Sequence, residues 1–92
     1  MFHKIVAITP LTDLKLIASF DSGDMRLYDV SLLLSKWSTF ESLKTVPGLF
    51  NSVRVDTGGY GVVWNDEIDL ASEEIWYNGQ RYNANLNSDS IN

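Results

Sequence analysis

The sequence predicts an α+β domain: an antiparallel meander of about five strands, two short helices inserted between strands three and four, and one helix after strand five. Three observations lead there. Residues 50–70 read as a hairpin, because Val53 and Val55 alternate with Arg54 and Asp56, and Tyr60, Val62 and Trp64 alternate with Gly61 and Val63 across the turn letters Thr57-Gly58-Gly59. Successive strand side chains point to opposite faces, so those apolar residues share one face that another element has to cover. Residues 14–20 show the cleanest period-two pattern in the chain, and the connection to the next run is too short for a parallel crossover. The apolar fraction of 45%, with 12% aromatic, supports a packed core within 92 residues, the size of one domain.

Taken in order, residues 3–9 form the first strand, stopped by Pro10, which cannot donate to a ladder. Leu14, Leu16, Ala18 and Phe20 form the inner face of the second. Asp21-Ser22-Gly23-Asp24 is a hairpin loop leading into a third strand at residues 25–29. Asp29 caps a short helix over residues 31–37. Ser38-Thr39-Phe40-Glu41 has the form of a capping box and opens a second short helix, ended by Pro47-Gly48. The hairpin follows. Asn65-Asp66-Glu67 is then a polar loop, Asp69 caps a last helix through residues 71–77, and Asn78-Gly79 stops it. The folded domain is expected over residues 1–79, with a polar, disordered tail at 80–92 in which Tyr82 and Leu86 alone could dock. Leu16, Phe20, Phe40, Phe50, Val55, Val62 and Trp64 are the expected core.

The composition excludes more chemistry than it suggests. Seven basic against twelve acidic residues give a net charge of −5, which lacks the basic footprint of direct nucleic-acid binding and suits solubility first, or a basic protein partner. Without cysteine there is no disulfide framework, thiolate metal site or thiol nucleophile. The uncharged stretch at residues 5–12 is too short to span a membrane and lacks a leader's cleavage pattern, so a cytoplasmic protein is expected. His3 is the only histidine, which removes triads and multi-histidine metal sites and leaves it as a surface residue near the terminus. Neither Asp21/Asp24 nor Asp66/Glu67/Asp69 has the spacing of a calcium loop. Gly58-Gly59-Tyr60-Gly61 is a turn, since no helix N-terminus or lysine follows it to cradle phosphate. No enzyme activity, cofactor or metal is expected.

The ordered pattern Phe20-Asp21-x-Gly23, Arg26, Asp29, Phe40, Leu43, Phe50, Val53, Val55, Asp56, Gly59, Val62, Trp64 and Asp69-Leu70 resembles a small bacterial group, domain-of-unknown-function family 2442. The chain departs from it at Asn65 and Asp66, where a Pro or Gly often follows the Trp, and at Ile75-Trp76, which replaces a Leu-Tyr pair. The resemblance implies a domain fused to helix-turn-helix modules in some proteins and standing beside a gene for a small toxin-like protein in others. By that resemblance the chain is expected to be a non-enzymatic, antitoxin-like interaction domain that binds a small basic toxin. The alternative is a ligand-sensing regulatory domain. Trp37, Trp64 and Trp76 are core or interface aromatics. The expected contact surface is an acidic rim of Asp66, Glu67 and Asp69 beside an exposed Trp76.

Overall fold

The computed structural model describes residues 2–83, and its layout follows from which faces the strands must bury. β1 (Ile5–Pro10), β2 (Lys15–Phe20) and β3 (Met25–Asp29) form the expected meander, with Leu16 opposite Tyr28 and Ala18 opposite Arg26. The β2–β3 loop closes by Phe20 N–H donating to Asp24 C=O, with Gly23 at φ 95° where a left-handed residue is required. Asp29 then caps a 3-10 turn over Val30–Leu33 by accepting from the amide of Ser31, as its side chain predicts.

The second insertion departs from its sequence signal. A 3-10 turn over Ser38–Glu41 leads into the one-turn helix α1 (Ser42–Thr45), but no side-chain cap forms at its start. The box letters are present without the box. Tertiary burial of Phe40 and Leu43 holds the segment instead.

β4 (Arg54–Val55), β5 (Gly61–Asn65) and β6 (Ile68–Ala71) make a second antiparallel sheet, with Val55 opposite Val62 and Val63 opposite Asp69. The helix α2 (Ser72–Asn78) carries the chain back to β7 (Gln80–Tyr82), which completes the first sheet in the order β1-β2-β3-β7. The fold class is therefore the predicted one, α+β with antiparallel pairing, with seven strands in two sheets among the described residues rather than about five strands in one.

Two segments account for the extra strands. Asp69, expected to cap the last helix, lies exposed in β6, because Ile68 and Leu70 alternate with it and are buried. Residues 80–82, expected in the polar tail, pair with Leu27, Arg26 and Met25, so that the edge of β3 supplies the hydrogen bonds that their own composition does not predict. Leu86 and the rest of the expected tail, residues 84–92, lie outside the described residues.

One core joins both sheets. Leu16, Ala18 and Phe20 meet Val62, Trp64 and Leu70, with Phe40, Leu43, Phe50 and Ile75 between them. Of the expected core, only Val55 is half-buried, and Tyr60, expected on the apolar face, is exposed in the turn and stacked on Phe2 at 4.6 Å. Trp64 is 3% exposed, packs against the rings of Phe40 and Phe50, and donates its indole N–H to Phe50 C=O at 3.1 Å. Trp64→Ala is expected to cost roughly 3–5 kcal/mol in urea unfolding, the range for large aromatic truncations. A loss under about 1 kcal/mol would mean that the two sheets do not share a core.

Candidate functional site

α2 gathers one set of polar side chains around it. Ser72 and Ile75 are fully buried, which leaves Glu73, Glu74 and Trp76 half-buried and within reach of neighbours. Arg26, on the inner face of β3, is 6% exposed and sits under the helix, its guanidinium carbon 3.9 Å from the Trp76 ring centroid. Its Nε donates to Trp76 C=O at 3.2 Å and its Nη1 to Met25 C=O at 2.9 Å. A helix leaves its last four carbonyls unsatisfied, so a cation here answers one of them and the negative end of the helix.

The N-terminal segment is tied to the same helix. His3 stacks on Trp76 at 3.9 Å, its backbone N–H donates to Glu73 Oε1 at 2.7 Å, and its Nδ1 lies 2.9 Å from the same oxygen. A carboxylate only accepts, so Nδ1 carries the hydrogen. The amide of His3, then its ring, hold the Glu73 carboxyl below the usual carboxylate range. Its contribution to stability is thus present above the ordinary carboxylate pKa and fades as the pH falls through the lowered one. His3 is a half-buried packing residue, not a surface one, and sequence offers no signal for this because both partners are seventy positions away.

On the other side of α2 a groove of about 550 Å³ opens to solvent. Lys15, Tyr28, Leu33, Lys36, Glu74 and Asn78 line it, contributed by β2, β3, the 3-10 turn and its exit, and α2. Glu74 accepts from Tyr28 Oη at 2.7 Å through one oxygen and from Asn78 Nδ2 at 2.9 Å through the other. Asp29 accepts from the amide of Ser31 and from its hydroxyl. Neither lysine has a hydrogen-bonded or ion-paired partner among the described residues, where His3–Glu73 is the one ion pair.

The residues expected to form a contact surface do not come together. Asp66 and Glu67 are exposed in the β5–β6 turn, which is held by Asn65 Oδ1 accepting from the amides of Glu67 and Ile68. Asp69 is exposed on β6 close by. Trp76, by contrast, follows the far end of β6 and is half-buried among His3, Arg26 and Phe20, so the expectation of an exposed Trp76 is corrected. The tryptophan with an exposed ring is Trp37. It is 50% exposed and packs 5.7 Å from Phe40, which lies 6.2 Å from Trp64, the residue before the turn.

Set beside known sequences, residues 5–81 match the family described as Protein of unknown function (DUF2442). The chain belongs to DUF2442. No curated protein and no solved structure matches it significantly. Among the described residues of this DUF2442 chain no helix is long and apolar enough to cross a membrane.

Burial, the hydrogen bond to Glu74 and the charges of Glu74 and Asp29 all raise the Tyr28 pKa. The folded value lies above the ordinary one of about 10, so the neutral phenol contributes stability that is complete below about pH 10 and is lost as the pH rises from there toward the raised value. Tyr28→Phe is therefore expected to flatten the alkaline limb of a stability-versus-pH curve measured by urea unfolding. An unchanged slope above pH about 10 would place the Tyr28–Glu74 bond outside the folded state's energetics.

Proposed function

We propose that this DUF2442 chain is a non-enzymatic protein-binding domain of the antitoxin type, whose partner is a small basic protein. The observation that carries the reading is the β5–β6 turn. Asp66, Glu67 and Asp69 are exposed there without an ion-paired partner among the described residues, in a chain of net charge −5. Their field is uncompensated, and such a surface steers a cationic partner. We assign Trp37, a large half-exposed ring, as the anchor that charge alone lacks. The domain acts in the cytoplasm by occupying its partner, with no chemistry of its own.

A second reading, a ligand-sensing regulatory domain, is favoured by the groove beneath α2, whose two lysines have no internal partner. The two readings use different residues, which makes them separable.

Identifying the neighbouring gene and co-expressing its product, followed by binding kinetics at two ionic strengths, tests the first reading. Asp66→Lys with Glu67→Lys should slow association and flatten its salt dependence, while Trp37→Ala should speed dissociation by the equivalent of roughly 2 kcal/mol or more. Rates unchanged in both variants would reject the acidic turn and Trp37 as the interface.

A further inference from the structure

The groove carries two lysines without a partner among the described residues, although the protein is acidic. Three of its four carboxylate oxygens are already engaged: both of Glu74 by Tyr28 and Asn78, and Oδ1 of Asp29 by the amide and hydroxyl of Ser31. Its two ammonium groups, on Lys15 and Lys36, are not. A third donor comes from the ladder. Phe20 and Asp24 share a hydrogen bond, and alternation along the antiparallel pair then turns the amides of Met25, Leu27 and Asp29 away from β2. Met25 and Leu27 meet Tyr82 and Gln80 of β7, but the strand ends one pair short of Asp29. The Asp29 N–H is left facing the side on which Asn78 and Gln80 line the groove, with no partner among the described residues.

Two free ammonium groups and a free amide are all donors, and they border an apolar wall of Leu27, Leu32 and Leu33. From this we infer that the groove binds a small amphipathic organic anion, its carboxylate or phosphate head on Lys15, Lys36 and the Asp29 amide and its apolar body on the leucines. The inference deepens the ligand-sensing reading and rests on it. It is independent of the acidic turn.

The test is a titration of the ¹⁵N-labelled full chain with four probes of one chain length: hexanoate, hexyl phosphate, hexylammonium and hexanol. Saturable shifts of the Tyr28, Asp29, Leu33, Lys36 and Asn78 amides are expected with the two anions, and the tighter of the two identifies the head group. Lys15→Gln with Lys36→Gln should weaken that binding at least tenfold. Lys4→Gln with Lys44→Gln, on exposed positions outside the groove, should leave it unchanged. Each variant's amide spectrum reports whether the fold is kept. Hexylammonium or hexanol binding as tightly as the anions, or full affinity in the folded Lys15/Lys36 variant, would overturn the anion assignment and leave a groove that takes ligands. Saturation by none of the four would overturn both the assignment and the ligand-sensing reading.

Discussion

The buried guanidinium of Arg26 is the constraint on which the placement of α2 depends. Removing a cation from water without a carboxylate partner costs several kcal/mol, so the site must return comparable free energy through other contacts. It does so in three ways: the indole of Trp76 lies within cation–π distance, and two carbonyls accept from the guanidinium, one of them an otherwise unsatisfied carbonyl at the end of α2. Arg26 therefore fixes both the height and the C-terminal end of the helix over the first sheet. Everything α2 carries follows from that. Glu73 meets the N-terminal segment, Glu74 meets Tyr28, and Gly79 comes so close to β3 that a Cβ there would lie 3.1 Å from Arg26 Cβ.

That same arrangement explains how a chain with two sheets keeps one core. β6 ends in the second sheet and β7 begins in the first, and α2 alone spans the change between them. Ile75, fully buried, fills the space between the sheets. The loop at Gly59 makes a second tie, with φ at 77° and so near Ile5 that a Cβ would lie 2.6 Å from the Ile5 carbonyl oxygen. Both ties hold elements distant in sequence, and both leave little room for substitution.

The legible parts of the fold were those with local causes. The β2–β3 hairpin, the Asp29 cap, the helix stops before Pro47 and at Gly79 and the Asn65 turn each follow from residues a few positions apart, although Gly48 itself is not the cap. The parts that were hidden depend on distant partners. β3 turns Arg26 and Tyr28 inward while Leu27 faces the groove, the reverse of what alternation of apolar residues suggests, because α2 supplies polar partners for the inner face. β7 is polar and forms because an unpaired edge awaits it. The candidate site divides in the same way. The acidic turn could be read as a turn with exposed charge. The exposure of Trp76 could not be read, since it depends on His3 and Arg26, and the groove could not be seen because its walls come from segments spread across residues 15–80.

The central claim, that Arg26 seats α2 and through it the groove and β7, is tested most directly by native-state hydrogen exchange of Arg26→Lys. Lysine keeps the charge but loses the planar fork that stacks and donates in two directions. The amides of Gly79 and Gln80 should lose protection by at least about tenfold, while those of Val62 and Leu70 in the second sheet keep theirs, the signature of a local rather than global opening. Protection of Gly79 and Gln80 at wild-type level, or a loss shared equally by Val62 and Leu70, would contradict the account.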